Sequence, residues 1–197
     1  MQFQTTFFSC TVSPESFFLE TERFLLRPWK SPDYPNFSRL AKNPQIMRFV
    51  NQGKPWSDKR IRSFIHKQEK LFWKEGYCRW VVEDKIKRNF VGLCGVGVFD
   101  PPGFLEIGWW IAKRFWGQGY ATEAARCALE HAFRKIRFPH LKSVTNPGNK
   151  ASIAVMHKIG FQQKMSGFLG DYLRSPKYLP IVTYSLDNPY LHSSPQK

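Results

Sequence analysis

The segment that most constrains the fold runs from Glu106 to Ala124, where an apolar strand leads through a short loop into a helix. Gly117 and Gly119 occupy the loop, and glycine lets the main chain take unusual angles and approach a ligand without a Cβ. The start of the following helix presents free N–H groups and the positive end of the helix dipole. Because this combination binds phosphate, the segment predicts a phosphate-binding turn.

Two familiar phosphate-binding patterns do not account for this loop. A Rossmann fingerprint needs a third small residue where Thr122 stands, together with alternating strands and helices. A Walker loop, with its Gly-Lys-Ser/Thr ending, is absent from the sequence. Taken alone, the loop is also compatible with a simple glycine turn into a core helix.

The hydrophobic pattern alternates between strand and helix periods along the chain. Strands are predicted over 21–29, 78–83, 90–99, 105–111, 142–145, 161–165 and 179–186, and helices over 31–40, 57–74, 121–133 and 151–159. The three strands between 78 and 111 are joined by short connections, so we expect them to be antiparallel neighbours. The order of elements predicts a mixed α/β sheet.

The length of 197 residues suits one domain. We expect an N-terminal extension over 1–20, a single domain over 21–187 and a tail over 188–197. The hydrophobic content of 42% and charged content of 23% exclude general disorder. No apolar run approaches the ~20 residues of a membrane-spanning helix, so no membrane partner is expected.

The charge balance is strongly basic, with 30 Lys and Arg against 15 Asp and Glu, a formal net charge of +15. Such an excess repels itself unless an anion offsets it, which favours an anionic partner. Nucleic acid, the ribosome, an acidic membrane surface and a polyphosphate cofactor all fit this requirement.

The four cysteines, at positions 10, 78, 94 and 127, form no Cys-x-x-Cys pair and no zinc-ligand pattern. We expect them to be reduced core residues, and we expect no metal. The first 18 residues have no basic region and no apolar stretch of signal-peptide length. A cytoplasmic location is therefore the expectation.

Several separate motifs together resemble the GNAT acyltransferase superfamily. Arg114-Phe-Trp-Gly-Gln-Gly119 is similar to the family's Arg/Gln-x-x-Gly-x-Gly/Ala signature. Thirty residues later, Asn149-Lys-Ala-Ser152 and Lys158-Ile-Gly-Phe161 resemble the second half of the same family. Glu22-Arg-Phe-Leu-Leu-Arg-Pro28 and Pro55-Trp-Ser57 are similar to the branch that contains the Rim ribosomal-protein N-terminal acetyltransferases. The resemblance covers about residues 20–187.

This resemblance implies a fold and a co-substrate. The fold would be a GNAT-like α+β arrangement: a mixed, mostly antiparallel twisted sheet of about six to seven strands, flanked by about four helices. Acetyl-CoA would lie where the strand ending at Ile111 splays from the strand 142–145. The main chain of Ile111 and Lys113 would pair with the pantetheine arm, and amides from Trp116 to Ala121 would cradle the pyrophosphate.

The cofactor-binding residues implied by the resemblance come from the loop and from the later motif. Asn149 would hydrogen-bond the pantetheine, and Ser152 would sit near the thioester sulfur. The full implied set is Ile111, Lys113, Arg114, Trp116, Gly117, Gln118, Gly119, Tyr120, Ala121, Asn149 and Ser152.

Two residues are candidates for the chemistry. Glu106 is a lone carboxylate on an apolar strand, where burial would raise its pKa towards the range useful to a general base. Strand alternation does not assign its face, so an outward-facing role remains the alternative. Ser152 is the candidate acid at the thiolate, with a helix cap as its alternative. Many family members carry Tyr where this chain has Met156, which cannot donate a proton, and His157 is expected to be a surface or packing residue.

The resulting expectation is an N-acetyltransferase that moves an acetyl group from acetyl-CoA to a primary amine by direct attack in a ternary complex. A protein N-terminus and a small-molecule amine both remain open as the acceptor. The alternatives are a non-catalytic CoA-binding protein and a basic protein that binds the ribosome or RNA. Trp109 and Trp110 face opposite sides of their strand, so one of them is expected to line the acceptor site. The sequence does not decide the oligomeric state.

Overall fold

A computed structural model describes residues 11–12, 18–99, 103–168 and 180–191. Cys10 and most of the expected extension 1–20 lie outside these ranges. At the other end, the described chain continues past the expected domain boundary to residue 191. There Asn188 is buried, and its side-chain amide donates to the carbonyls of Phe133 and Phe138.

Nine strands form one sheet in the order β1-β2-β3-β4-β5-β6-β7-β9-β8. The strands are β1 (Thr11–Val12), β2 (Leu19–Glu20), β3 (Phe24–Arg27), β4 (Arg79–Asp84), β5 (Phe90–Phe99), β6 (Phe104–Ile111), β7 (His140–Thr145), β8 (Gln162–Phe168) and β9 (Pro180–Asp187). All neighbours are antiparallel except β6 and β7. The seven longer strands are those predicted, which confirms a mostly antiparallel mixed sheet. β1 and β2 have two residues each and come from the segment expected to be an extension.

Five α-helices accompany the sheet within the described residues. They are α1 (Tyr34–Ala41), α2 (Pro44–Met47), α3 (Asp58–Glu75), α4 (Tyr120–Glu130) and α5 (Lys150–Lys158), and a π-helical turn (His131–Lys135) extends α4. The four longer helices correspond to the predicted ones, and α2 was not predicted. Ser57 caps α3, because its side chain accepts a hydrogen bond from the Arg60 N–H.

The helices cover both faces of the sheet. Phe24 and Arg27 on β3 point to opposite faces because they are three residues apart on a strand. Phe24 meets the ring of Tyr120 in α4, with centroids 4.7 Å apart. Arg27 instead pairs with Asp33, just before α1, at 2.7 Å. The α1 and α4 sides are therefore opposite, and the residues of β6 divide between them.

Asp33 has a different role from the one that the sequence suggests. Its position predicts a cap for the first helix, but its side chain makes no capping bond to that helix. The carboxylate is buried, accepts the Lys30 N–H at 2.8 Å and pairs with Arg27. Arg27 also pairs with the buried Glu83 at 2.7 Å, so Asp33 helps to compensate a guanidinium next to the core.

The sheet has one weak join, between β6 and β7. These two strands are parallel, and Glu106↔Lys142 is their only paired position among the described residues. On its other side, β7 pairs with β9 at six consecutive positions from His140 to Thr145. The two strands therefore part beyond Glu106, and a gap opens between them in the middle of the sheet.

The cysteines differ from expectation at one position. Cys78 and Cys94 are free and fully buried, and burial raises the pKa of both thiols. Cys127 is disulfide-bonded, so the prediction that all four are reduced is wrong. Sequence spacing does not reveal which cysteines approach each other in space. Within the described part of the chain, no helix combines the length and apolar character needed to cross a bilayer.

Candidate active site

Main-chain groups of β6 line the gap beside β7. The N–H of Ala112 donates to the carbonyl of Val91 on β5 at 2.9 Å. Backbone direction alternates along a strand, so the polar groups of Trp109 and Ile111 point away from β5. They face the gap, where the described residues show no further pairing with β7. A ligand with peptide-like hydrogen-bonding groups could lie there as an added strand.

One of these main-chain groups already has a partner. The indole N–H of Trp116 donates to the carbonyl of Ile111 at 2.6 Å. The resemblance implies that the main chain of Ile111 pairs with pantetheine. The Ile111 N–H faces the gap, and the Ile111 carbonyl accepts one hydrogen bond from the side chain of Trp116.

The narrow end of the gap is closed by side chains. The hydroxyl of Ser143 on β7 donates to the carbonyl of Ile107 on β6 at 3.0 Å. The carboxylate of Glu106 accepts a hydrogen bond from the main-chain N–H of Val144. Glu106 therefore lies where the strands part and takes one of the amides that pairing would otherwise have used.

Glu106 is turned inward, which settles the face that the sequence left open. Its side chain is 12% exposed and pairs with Arg79 at 2.6 Å. Burial raises the pKa of Glu106 above the ordinary carboxyl value, while Arg79 and the Val144 N–H act in the opposite direction. A carboxylate with a raised pKa at the edge of a gap is suited to accept a proton from an amine.

Aromatic side chains share the face of Glu106. Trp110 lies four residues along β6 and so points to the same side. Its ring stacks on Phe37 of α1 at 6.1 Å and meets Trp56 edge-on at 5.0 Å. Trp110, not Trp109, is therefore the tryptophan that shares the α1 side of the sheet with Glu106.

The glycine loop precedes α4 as predicted. Gly117 and Gly119 have φ angles of +74° and +76°, and Gly119 is the residue immediately before the helix. The left-handed region favours glycine, so the local sequence dictates this turn. Lys113 and Arg114 are exposed just before it. The loop thus presents main-chain N–H groups, two glycines without Cβ atoms and nearby positive charge to one side of the gap.

A charged network that the sequence did not reveal fixes this loop. Arg23, just before β3, pairs with Glu123 in the first turn of α4 at 2.6 Å and donates to the carbonyl of Gln118 at 3.0 Å. Its guanidinium lies 4.4 Å from the centre of the Tyr120 ring. Thr21 also donates to Glu123, at 2.7 Å. The partners are about 100 residues apart, and no spacing rule connects them.

Asn149 and Ser152 meet at the start of α5. The side-chain oxygen of Asn149 accepts the Ser152 N–H at 3.3 Å, and its amide donates to the hydroxyl of Thr145 at 3.1 Å. Asn149 is therefore the N-cap of α5 and also ties the helix to the end of β7. Ser152 is partly buried in the first turn, and the cap belongs to Asn149 rather than to Ser152.

Met156 and His157, near the end of α5, both contact other side chains. Met156 is 1% exposed and belongs to the core. His157 is exposed, and its ring meets Tyr184 edge-on at 5.3 Å, in agreement with a surface or packing role. Neither side chain adds a proton donor to the gap.

Arg79 is the site residue that sequence reasoning missed. The available signal was a cation at the start of a buried strand, which demands a compensating charge nearby. The partner, Glu106, is 27 residues away on a strand that is not adjacent to β4. Among the described residues, no cluster of three or more His, Cys, Asp or Glu could hold a metal ion.

Solved structures share this architecture. A GNAT-family acetyltransferase from Bacillus anthracis aligns with a TM-score of 0.73 at 21% identity, covering 87% of this chain and 98% of that one. The RimL ribosomal alpha-N-protein acetyltransferase in complex with coenzyme A aligns with a TM-score of 0.69 at 17% identity, covering 84% and 94%. At these identities the likeness shows the fold.

Sequence comparisons give the family. YkkB of Bacillus subtilis (strain 168), described as an uncharacterized protein, is 36% identical over 146 residues, 72% of this chain and 83% of its own. An uncharacterized N-acetyltransferase, p20 of Bacillus licheniformis, is 25% identical over 171 residues, 85% of this chain and 94% of its own. The Acetyltransferase (GNAT) domain family matches residues 23–162. The chain therefore belongs to the GNAT acetyltransferase family and is an acetyl-CoA-dependent N-acetyltransferase, as the glycine loop and the Asn149–Ser152 motif predicted.

Proposed function

We propose that this protein transfers the acetyl group of acetyl-CoA directly to a primary amine bound on the α1 side of the sheet, within a single domain. The observation that carries the proposal is the inward-facing carboxylate of Glu106 at the point where β6 and β7 part. A proton acceptor there adjoins the main-chain groups suited to hold the acetyl donor.

The gap and the loop fit acetyl-CoA. The N–H of Ile111 and the main chain of Lys113 would pair with the pantetheine arm, and Asn149 would contact it from α5. The loop and the first turn of α4 would surround the pyrophosphate, with Lys113 and Arg114 adding positive charge. The proposed set is Ile111, Lys113, Arg114, Trp116, Gly117, Gln118, Gly119, Tyr120, Ala121, Asn149 and Ser152.

Acetyl-CoA supplies a thioester carbonyl, to which the amine nitrogen adds before the C–S bond breaks and the electron pair leaves on sulfur. Glu106 takes the proton that the amine must lose, directly or through a water molecule. The main-chain N–H of Trp109 faces the gap and is suited to stabilise the developing oxyanion. Ser152 or water returns a proton to the thiolate, since Met156 carries none.

The acceptor is a primary amine, and protein N-termini are one source of it. A putative ribosomal N-acetyltransferase, YdaF of Bacillus subtilis, is 36% identical over 81 residues, 41% of this chain. A net charge of +15 would favour encounter with ribosomal RNA, and such association weakens steeply with salt.

Thermal unfolding with and without acetyl-CoA tests the proposed co-substrate. At about 100 times the dissociation constant, a ligand stabilises the folded state by about 2.7 kcal/mol. For a domain of this size we expect a rise in Tm of about 5–10 °C that survives moderate salt. No rise at saturating acetyl-CoA would contradict the placement of the acetyl donor in the gap.

A further inference from the structure

The side chain of Arg79 crosses the sheet to reach Glu106. It starts on β4, passes over β5 and ends 2.6 Å from the carboxylate on β6. Glycine makes this path possible, because a Cβ at Gly97 would lie 3.0 Å from the guanidinium carbon. The side chain is 20% exposed, so a largely buried cation lies on the α1 face of the sheet, beside the candidate base.

The main chain of Arg79 is held from both sides. Its N–H donates to the side-chain oxygen of Gln68 on α3 at 2.8 Å. Its carbonyl accepts the indole N–H of Trp29. These contacts fix the main chain of Arg79 before any ligand binds. A binding group needs such support to be well oriented.

Most hydrogen-bonding capacity of this guanidinium is unused. A guanidinium has five N–H donors, and here Nη2 donates to Glu106. Within the described ranges, neither Nε nor Nη1 of Arg79 donates to a protein atom. A charged group with few protein contacts in a mostly buried position favours a ligand that supplies oxygen acceptors.

The surface of the sheet beside the Nε and Nη1 donors of Arg79 is formed by a glycine. Gly108 lies between Glu106 and Trp110 on the same face of β6. A Cβ placed on Gly108 would have one neighbour within 4 Å apart from adjacent residues, the Nε of Arg79 at 4.0 Å. A small group resting on Gly108 would therefore contact the Arg79 donors and lie next to Glu106.

We propose that Arg79 recognises the acceptor, and that the acceptor is an α-amino acyl compound, in which one carbon separates the reacting amine from a carbonyl or carboxylate group. This inference rests on the proposed function. The oxygen accepts from Nε or Nη1 of Arg79, while the amine faces Glu106. A polyamine offers no such oxygen, and its additional ammonium groups are repelled by the guanidinium. Free amino acids and peptide N-termini share the required chemistry.

The same residue also affects the pKa of Glu106, which burial raises. Among the described residues, Arg79 from β4 pairs with Glu106, and Lys142 on β7 is the cross-strand partner of Glu106. The Lys142 ammonium lies 4.7 Å from the Phe104 ring centre. Arg79 lowers the pKa of Glu106 against the effect of burial. Removing the guanidinium raises that pKa, so the acid limb of the rate profile moves to higher pH.

The test compares L-alaninamide with isopropylamine, which has the same branched skeleton but no carbonyl. Acetylation of each by the wild type and by Arg79→Gln is measured on the pH plateau where Glu106 is ionised, so the basicity of each amine cancels in the ratio. We expect kcat/KM for L-alaninamide to fall at least about tenfold more than kcat/KM for isopropylamine. We also expect the wild type to prefer L-alaninamide to spermidine, and Arg79→Gln to shift the acid limb upward.

Controls separate recognition from folding. Arg79→Lys should restore part of the preference for L-alaninamide over isopropylamine. Arg39→Gln, which removes an exposed cation on α1, should leave kcat/KM for L-alaninamide unchanged relative to isopropylamine and to spermidine. Tm and acetyl-CoA affinity are measured for each variant. L-alanine and a short peptide then distinguish a free amino acid from a peptide N-terminus.

Two results would overturn the inference while leaving acetyl transfer intact. One is an equal loss for both amines in Arg79→Gln, which would reduce Arg79 to a support for Glu106. The other is a wild-type preference for spermidine over L-alaninamide. Acetyl-CoA binding without transfer to any of these amines would overturn the proposed function, and this inference with it.

Discussion

The two sides of the candidate cleft are formed by different kinds of chemical group. The side assigned to acetyl-CoA consists mainly of main-chain groups: the gap beside Trp109 and Ile111, and the turn at Gly117 and Gly119. The side assigned to the acceptor consists of side chains, such as Arg79, brought together from several strands and helices. Main-chain sites depend on local conformation, whereas side-chain sites depend on how distant elements pack. This difference fits the proposal that the first side holds the acetyl donor and the second selects the acceptor.

The largest expected effect would come from removing the acceptor-side base. Glu106→Gln should lower kcat for L-alaninamide by about 10²–10⁴-fold, because the amine loses its proton acceptor. Acetyl-CoA affinity should stay close to that of the wild type, since the acetyl donor is held on the other side. Steady-state kinetics and calorimetric titration measure the two quantities.

Glu130→Gln is the matched control, since this carboxylate, at the end of α4, pairs with Arg134 of the π-helical turn. It should leave kcat unchanged. Equal turnover by the wild type and Glu106→Gln would remove Glu106 from the mechanism and break the division between the two sides.

The next effect concerns the acetyl-CoA side alone. Gly119→Val should weaken acetyl-CoA binding at least about tenfold, because valine resists a φ of +76° and adds bulk at the start of α4. Gly103→Val introduces similar strain, at a φ of +88°, in the turn before β6. Titration with acetyl-CoA should show a loss for the first variant and none for the second. Equal affinities in two folded variants would contradict the placement of the pyrophosphate.

Asn149 allows structure and binding to be separated at a single residue. Asn149→Ala should cost about 1 kcal/mol of stability because the N-cap of α5 is lost. Asn149→Asp keeps a capping oxygen but removes the amide donor. Denaturant unfolding should therefore show little change for the Asp variant, while acetyl-CoA affinity falls by a few-fold. An unchanged affinity would restrict Asn149 to the cap.

The smallest effect lies away from the cleft. Burial lowers the pKa of His131, whose Nε2 lies 2.9 Å from the carbonyl of Gly76 and whose Nδ1 finds no partner among the described residues. As pH falls below about 6.5, the unfolded chain takes up a proton that the folded chain resists, so stability decreases. His131→Gln should remove this part of the loss in Tm between pH 7.5 and 5.5.

His66→Gln provides the comparison, because His66 is exposed on α3. It should leave the pH dependence of Tm as in the wild type. An identical slope in the wild type and His131→Gln would show that His131 is not protonated differently in the folded and unfolded chains.

The features that could be predicted from the sequence are those that a short segment of chain determines by itself. β5 has the predicted bounds of 90–99, and the turn at Gly119 follows from local backbone preference. The short strands β1 and β2 and the four-residue α2 were missed, because their few residues carry too little periodicity. The predicted helix 121–133 runs on through a π-helical turn to Lys135, in which Ala132 and Phe133 are buried.

The candidate site divides in the same way. Residues of the loop and of the Asn149–Ser152 motif were predicted by resemblance, while Arg79 and the Arg23–Glu123 pair were not. Arg79 is 27 residues from Glu106, and Arg23 is 100 residues from Glu123. Only the folded structure brings each pair together. The inward face of Glu106 likewise required the pairing register of β5 with β6.

The single paired position between β6 and β7 also bears on cooperativity. Each half of the sheet has its own continuous ladder of hydrogen bonds, and one rung at Glu106↔Lys142 joins them. We expect a ligand in the gap to add hydrogen bonds where β6 and β7 do not pair, and so to connect the two halves of the sheet. Occupancy would then slow amide exchange at Ile111, whose N–H faces the gap, and would couple the unfolding of the two ladders.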